Sequence, residues 1–201
     1  MGARDLIDGS ERRTFAMRSE VNWGLLGLLI ERQGYGYELY HRFGRTYGKL
    51  IVLSCQAQIY KGLDALEERG LIEVLPSEIA LPAQAHKPTT RYPGQPKTRY
   101  RALAAAVPGY RDWLITQVTQ EGRCVELLAL LVGALPPRDA LVVIDRYEQH
   151  LLSERRAAPP VTDGASVLAR GLAEHAKDLE TGLALKWTTY ARRELDASID
   201  G

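Results

Sequence analysis

The sequence predicts a mainly α-helical protein with a small β wing, in which a winged helix-turn-helix domain is followed by an all-helical dimerisation domain. Three observations predict this fold class. Three helical segments follow one another up to Gly70, two short strands then enclose a basic loop, and every segment beyond Val107 has a helical pattern. We expect an N-terminal arm at 1–18, the winged helix at 19–106 and the dimerisation domain at 107–201.

The first two helices are predicted from the spacing of their apolar residues. In 19–33, Trp23 and the leucines around it recur at helical intervals and leave little polar surface, so nearly all of this helix should be buried. The glycines of 34–36 break the pattern. A second helix then occupies 37–47 and ends at Gly48.

The third helix, 54–70, is the segment around which the first domain is organised. Ser54 can cap its start and Gly70 can end it. The apolar side chains of its core face are Ile59, Leu63 and Leu66. The acids gather in its last two turns and are Asp64, Glu67 and Glu68. Because acids are unfavourable near a helix C-terminus, stability alone does not explain this polarity, and the first half of the helix can approach a polyanion. The alternative is an amphipathic surface helix with a solvated acidic patch.

Two strands and a long basic loop follow the third helix. The segment 71–75 alternates as a strand does, and 99–103 is predicted to be its partner. The loop between them is rich in proline, and no acid occurs between Glu78 and Asp112. In a winged helix, the third helix enters the major groove of DNA and such a wing reaches phosphates or the minor groove.

Beyond Val107 the chain is predicted to be wholly helical. The helices expected there are 109–121, 123–135, 139–157 and 164–195. The last of them carries a continuous apolar stripe formed by Leu168, Leu172, His175, Leu179, Leu183, Trp187 and Tyr190. This stripe is longer than one winged-helix domain can cover, so we expect the same helices of a second subunit to pack on it as a homodimer. A helical bundle packed on itself is the alternative.

Composition bounds the class of protein. Of the 201 residues, 45% are hydrophobic and 25% are charged, and the net charge is only +1. The chain is therefore unlike a polycation that binds nucleic acid without specificity. No apolar run is long enough to span a membrane and the start lacks a signal peptide, so a cytoplasmic location is expected. Cys55 and Cys124 are too few for a disulfide framework.

The sequence contains no pattern typical of an enzyme. His41, His86, His150 and His175 are scattered and form no metal-ligand spacing. The segment 44–50 is one residue too short for a phosphate-binding loop and lacks its Ser or Thr. We therefore expect no catalytic residue, no metal and no cofactor.

Three motifs carry a family resemblance. They are Leu25-Leu26-Gly27-Leu28-Leu29, Gly36-Tyr37-Glu38-Leu39 and Gln58-Ile59-Tyr60-Lys61-Gly62-Leu63-Asp64-Ala65-Leu66-Glu67-Glu68-Arg69-Gly70-Leu71-Ile72. With the basic strand 99–103 and the Arg111-Asp112-Trp113-Leu114 that follows, they resemble the PadR family of bacterial transcriptional regulators over roughly 22–115. The resemblance implies a repressor-like protein that binds DNA through a winged helix and acts as a dimer.

The chain departs from the family pattern at two positions and in the wing. Tyr35 stands where members often have a histidine. Gly62 stands in a helix interior, where glycine costs about 1 kcal/mol relative to alanine. The wing loop is also longer than is usual in the family.

The candidate DNA contacts lie in the first half of the third helix and in the wing. Glutamine can make paired hydrogen bonds to adenine, lysine can reach guanine or phosphate, and a tyrosine hydroxyl can hold a phosphate. In the helix the candidates are Ser54, Gln56, Gln58, Tyr60 and Lys61, and in the wing they are Lys87, Arg91, Lys97, Arg99 and Arg101. The expected partner is double-stranded DNA.

A sensor function is the other hypothesis, and it has two forms. The resemblance implies that some members respond to small, often aromatic, molecules, and the aromatic residues that could line such a pocket are Trp23, Trp113, Trp187 and Tyr190. Alternatively, Cys55 at the start of the third helix could be a redox-sensitive thiol, since a helix N-terminus lowers a thiol pKa. In that alternative, the chain is a ligand-binding or thiol-based sensor module whose winged helix serves protein-protein contact.

Overall fold

The computed structural model describes residue 17 and residues 19–75, 98–119, 125–157 and 166–200. The chain forms two compact units, and the boundary between them in the sequence lies between Tyr110 and Arg111. The described elements that lie wholly in the first unit are α1 (Glu20–Glu31), β1 (Gly34–Tyr35), α2 (Gly36–Tyr47), α3 (Ala57–Glu68), β2 (Ile72–Leu75) and β3 (Arg99–Ala102). The remaining helices are α4 (Ala106–Val118), α5 (Val125–Val132), α6 (Pro137–Ala157) and α7 (Val167–Asp200). The predicted fold class, helices with a small β wing, is confirmed.

Helix α1 forms the centre of the first unit. It packs against α2, α3 and β3, and its residues from Trp23 to Leu29 are all buried. Trp23 is fully buried, and its Nε1 donates a hydrogen bond of 2.8 Å to the carbonyl of Met17. A helix that is apolar around most of its circumference has to be enclosed by other elements, which explains the burial.

Gly62 marks the closest approach of α3 to α1. A Cβ at this position would lie 3.0 Å from Oδ1 of Asn22 and 3.2 Å from Cδ2 of Leu25. The departure from the family pattern at Gly62 therefore has a packing reason. The helix gives up about 1 kcal/mol of propensity where the absent side chain lets the two helices pack closely.

The three short strands form one antiparallel sheet in the order β1-β3-β2. In β2 and β3, Ile72 pairs with Ala102 and Leu75 with Arg99, which confirms the two predicted strands of the wing. The residues of β1 were predicted only to break the helical pattern between the first two helices. They form a strand because Arg32, at the C-cap of α1, is already extended with φ −162° and ψ 133°, so the chain leaves α1 along the free edge of β3.

Gly70 ends α3 as predicted. Its φ is +65°, a left-handed conformation that glycine adopts without steric cost. In this geometry the N–H of Gly70 donates to the carbonyl of Glu67 at 2.8 Å and that of Leu71 donates to Leu66 at 3.0 Å. The last turn of the helix is thereby closed directly before β2.

Arg42 is a buried charge between α1 and α2. Its side chain is 7% exposed, and its guanidinium donates to the carbonyls of Leu28 at 2.9 Å and Arg32 at 3.0 Å. It also donates to Oε2 of Glu31 at 3.1 Å. The carbonyl of Leu28 also accepts the N–H of Arg32 at 3.1 Å, so Arg42 of α2 adds a second donor there and supplies a donor to the carbonyl of the C-cap residue Arg32, whose position at the helix end leaves it without a partner within the helix.

Two buried tyrosines make the first unit sensitive to alkali. Burial raises the pKa of Tyr47 and of Tyr110 above the usual value. Because the unfolded chain releases these phenol protons near pH 10 and the folded chain holds them, stability is complete below pH 10 and is lost as the pH rises further. We expect the urea midpoint to fall as the pH rises above about 10, and to fall less in Tyr47→Phe. A midpoint that falls equally in both proteins would contradict this account.

The second unit contains a contact between α6 and α7. Tyr147 and Trp187 meet with ring centroids 6.1 Å apart. Arg192 donates to Asp145 and to Glu148 at 2.6 Å each. These contacts involve the second half of α7, and the pairing of Arg192 with two carboxylates raises its pKa, chiefly through the hydrogen bond to Glu148.

Candidate nucleic-acid interface

Helix α3 has one buried face and one exposed face. Ile59, Leu63 and Leu66 are fully buried, as predicted, and the helix packs against α1, α2 and β2. The exposed residues from its N-cap to its last residue are Gln56, Ala57, Tyr60, Lys61, Asp64, Glu67 and Glu68. The first two turns therefore present no acid to solvent, whereas the last two present three.

The start of α3 differs from the prediction. The helix begins at Ala57, and Gln56 stands at its N-cap without a side-chain hydrogen bond. Ser54 does not cap the helix. Its backbone N–H instead donates to Oε1 of Gln58 at 3.1 Å, because a glutamine in the first turn is long enough to reach back to the chain that precedes the helix.

This hydrogen bond changes what Gln58 can do. Its carbonyl oxygen is occupied by Ser54 and the residue is half-buried. A paired contact to adenine uses both the oxygen and the NH₂ group of the amide, so Gln58 could make it in this arrangement only through the second lone pair of an oxygen that Ser54 already engages. The side chain of Gln56 is exposed, and neither its oxygen nor its NH₂ group is engaged within the described residues.

The Tyr60 ring lies over the first residue of α2. A Cβ on Gly36 would be 2.5 Å from Cε1 of this ring, so glycine is required there. Tyr60 is still 41% exposed. The neighbouring Tyr100 has a raised pKa, first through burial and then through Asp64, Glu67 and Tyr60. Tyr60 therefore joins α3 to the start of α2 while part of its ring faces solvent.

The two described wing arginines already have partners. Nε of Arg101 donates to Oε1 of Glu73 across the β2-β3 pair at 2.8 Å. The Arg99 guanidinium lies over the Tyr35 ring, 5.1 Å from its centroid, and its buried Nε has no hydrogen-bond partner among the described residues. Lys87, Arg91 and Lys97 lie outside the described residues.

The aromatic residues predicted for an effector pocket are divided between the two units. Trp23 belongs to the first unit and is fully buried. Trp113, Trp187 and Tyr190 belong to the second, where Trp113 is buried, Trp187 is half-buried and Tyr190 is 55% exposed. The guanidinium of Arg193 lies 5.3 Å from the centroid of the Tyr190 ring. The pocket remains a prediction.

The prediction that Cys55 lies at the start of the third helix, within its first turn, is wrong. Cys55 is exposed and lies two residues before α3. Its carbonyl accepts a hydrogen bond of 3.1 Å from the N–H of Gln58, which is a turn that leads into the helix. Cys124 lies outside the described residues.

Much of the apolar stripe of α7 is exposed. The large side chains that stand out are Leu168 (73% exposed), Leu172 (64%), Leu179 (62%) and Leu183 (65%). The buried residues of α7 are Ala184 and Thr188, and within the stripe Trp187 packs against Tyr147 of α6. At about 100° per residue, Thr188 lies on nearly the opposite side of the helix from Leu179.

The described residues contain neither a metal-binding cluster nor a membrane-spanning helix. Within the ranges given above, no group of three His, Cys, Asp or Glu side chains could hold a metal ion. None of the described helices combines the length and the apolar composition that crossing a membrane requires.

One exposed surface was not predicted from the sequence. Four exposed polar residues repeat at intervals of four along and just beyond α2, namely Tyr37, His41, Arg45 and Lys49. We call this surface the α2 outer face. The signal was present in the sequence as an i, i+4 repeat of hydrogen-bond donors along the predicted helix 37–47.

Comparison with known proteins returned matches among solved structures alone, since no family model and no curated protein matches the chain. The crystal structure of Bacillus subtilis PadR in complex with operator DNA is 17% identical, with 90% of this chain and 98% of that chain covered and a TM-score of 0.38. The crystal structure of the same protein in complex with p-coumaric acid is 16% identical, with 88% and 98% covered and a TM-score of 0.35. By its own elements, the chain is a winged-helix protein with a helical C-terminal region, and it is similar to structures of PadR, whose family motifs its sequence resembles.

Proposed function

We propose that this chain is a sequence-specific DNA-binding transcriptional regulator that acts as a homodimeric repressor. The observation that carries the proposal is the orientation of α3. Its apolar face is fully buried, and the exposed part of its first half carries glutamine, tyrosine and lysine without an acid. A helix of a winged-helix domain that presents its N-terminal half in this way is suited to the major groove. The repressor role is inferred from the resemblance of the motifs.

Salt dependence tests the DNA-binding part of the proposal. Binding to the DNA upstream of the protein's own gene should weaken steeply with salt, with a log-log slope of about −0.9 for each phosphate neutralised. A two-fold dimer should protect two half-sites separated by about one helical turn or a multiple of it. A gel-shift series without any salt-sensitive complex would refute DNA binding.

Two substitutions on α3 test which half of the helix contacts DNA. Lys61→Ala should weaken binding roughly tenfold and lower the salt slope by about 1, because an exposed cation near the groove is removed. Glu68→Ala, in the last turn, should leave affinity unchanged or raise it slightly. Fluorescence anisotropy with a labelled duplex measures both. Equal losses in the two variants would count against this docking of α3.

The homodimer is supported by the exposed stripe of α7. Four leucines that are more than half exposed, on a face that α6 does not cover, make an apolar surface that a single chain rarely leaves in water. The stripe from Leu168 to Tyr190 spans about 33 Å at 1.5 Å per residue. A two-fold pair of such helices buries the stripe of each chain against the other.

A small aromatic effector completes the proposal. It rests on the resemblance and on the aromatic side chains of the second unit, where Trp187 contacts Tyr147 and Tyr190 is exposed. Quenching of tryptophan fluorescence by simple phenolic acids tests it. If quenching persists in Trp187→Phe, the phenolic acid quenches the fluorescence of another tryptophan. If no phenolic acid quenches the fluorescence, the effector is removed from the proposal.

A further inference from the structure

The end of the sheet holds an arginine between a tyrosine and a leucine. Arg99 is the first residue of β3, and it pairs with Tyr35 of β1 on one side and with Leu75 of β2 on the other. Residues directly opposite each other in neighbouring strands place their side chains on the same face of a sheet. The Arg99 guanidinium accordingly lies over the Tyr35 ring, 5.1 Å from its centroid. We call these three residues the end row.

The end row lies on the outer face of the sheet. Successive residues of a strand point to opposite faces, and Tyr100, the neighbour of Arg99 in β3, is buried on the inner face. Arg99 therefore points away from the core, yet it is half-buried, as are Tyr35 and Leu75. The Tyr35 ring against the guanidinium accounts for part of this burial, so the arginine is held by the side of the sheet rather than projecting freely into water.

The stacked guanidinium still offers hydrogen-bond donors. Within the described residues, the buried Nε of Arg99 has no hydrogen-bond partner, and no carboxylate forms an ion pair with this arginine. Arg101, which shares the outer face, differs because its Nε donates to Glu73 at 2.8 Å. Since Nε of Arg99 is covered, an oxyanion can approach this side chain only at the two terminal nitrogens, which form one edge of a planar fork.

We propose that Tyr35 is a positioning residue for DNA binding, which holds the Arg99 guanidinium so that its two terminal nitrogens receive one phosphate of the duplex. This inference rests on the proposed function. A long side chain that is mobile in the free protein loses rotational freedom when it binds, and this loss weakens binding. A guanidinium that is already stacked on an aromatic ring loses less. Tyr35 thereby raises affinity without adding a charge and without contacting DNA itself.

The test measures anisotropy of the full-length protein with a labelled duplex from the DNA upstream of its own gene, between about 50 and 200 mM salt. Arg99→Ala removes one phosphate contact, so it should lower the salt slope by about 0.9 and weaken binding roughly eightfold at about 0.1 M salt. Tyr35→Leu leaves every charge in place. It should weaken binding roughly two- to fivefold at all salt concentrations and keep the wild-type slope.

Two further variants separate positioning from other roles of the tyrosine. Tyr35→Phe keeps the ring and should bind as the wild type does, whereas a loss equal to that of Tyr35→Leu would overturn the inference in favour of a direct contact by the hydroxyl. If Tyr35 acts through Arg99, adding Tyr35→Leu to Arg99→Ala should change affinity by less than about 1.5-fold. An equal loss in both backgrounds would show that Tyr35 only supports the fold, and the inference would fail.

Arg99→Lys tests the same contact with Tyr35 left intact. It keeps the charge and gives up the planar fork, so it should keep the salt slope and lose affinity about as Tyr35→Leu does. A lysine that binds as well as the arginine would contradict the inference, because neither the stack nor the fork would then matter.

The matched control is Arg155→Ala, which removes one exposed charge from the end of α6 and should change neither affinity nor slope. If Arg99→Ala binds as this control does, the inference fails although the proposed function stands. If the wild type itself forms no salt-sensitive complex, the proposed function fails and this inference fails with it.

Discussion

Arg42→Ala is expected to lower the free energy of unfolding by about 3 kcal/mol, more than any other charge-removing substitution on α2. The guanidinium of Arg42 is buried and supplies donors to two carbonyls at the end of α1 and to the carboxylate of Glu31. Its removal leaves the carbonyl of Arg32 without this donor, leaves the carbonyl of Leu28 with the N–H of Arg32 alone, and opens a cavity between α1 and α2. Urea unfolding of the full chain, followed by circular dichroism, measures the change.

Two variants separate the lost hydrogen bonds from the lost volume. Arg42→Met fills much of the space without supplying donors, so it should recover only part of the lost stability. Arg45→Ala, three residues further along the same helix and exposed, should change stability by less than about 0.5 kcal/mol. An Arg42→Ala protein as stable as Arg45→Ala would show that the end of α1 needs no cap from α2.

Leu172→Asp/Leu179→Asp is expected to convert the proposed dimer to monomers at micromolar concentration. Both leucines are more than 60% exposed in the single chain, so the folded monomer tolerates a carboxylate at either position. In a two-fold dimer each substitution occurs twice, and an unpaired carboxylate in an apolar interface costs several kcal/mol. The dissociation constant should rise at least roughly 1,000-fold, which light scattering detects as a halved mass.

Lys177→Asp is the matched control for this experiment. It changes the net charge by the same amount as the double substitution, but Lys177 lies on the opposite side of α7 from the stripe, by about 160° from Leu179. The control should stay dimeric. If it dissociates as readily as Leu172→Asp/Leu179→Asp, charge repulsion rather than the stripe controls association, and a wild type that is already monomeric would remove the dimer from the proposed function.

Most of the fold could be predicted because helical periodicity and glycine punctuation act locally. The core face of α3 and its end at Gly70 are both as predicted, since each depends on residues within one or two turns. Strand β1 was not predicted. It contains only two residues, and it exists because residues more than sixty positions later, in β3, offer a free edge. Pairing at that distance leaves no periodic signal in a two-residue segment.

The candidate site was less predictable than the fold. Residue type alone suggested that Gln58 and Arg101 are free for DNA, but each is engaged by a neighbour, Ser54 in one case and Glu73 in the other. The buried role of Arg42 was hidden by its charge, although it follows Leu39 by three residues and precedes Phe43 on the core face. Hydrogen-bond partners depend on side-chain geometry, which composition and spacing do not specify.

The contact at Gly62 has a consequence for how α3 would read DNA. Because a Cβ there would press on Asn22 and Leu25 of α1, the glycine fixes how far α3 is rolled about its own axis. The roll sets the direction in which Gln56 and Lys61 point, and a bidentate hydrogen bond to a base edge tolerates little angular error. Gly62 faces the protein interior, yet a substitution at this position would change base selectivity on the opposite side of the helix. Base preference could therefore evolve through Gly62 without any change in the residues that touch the bases.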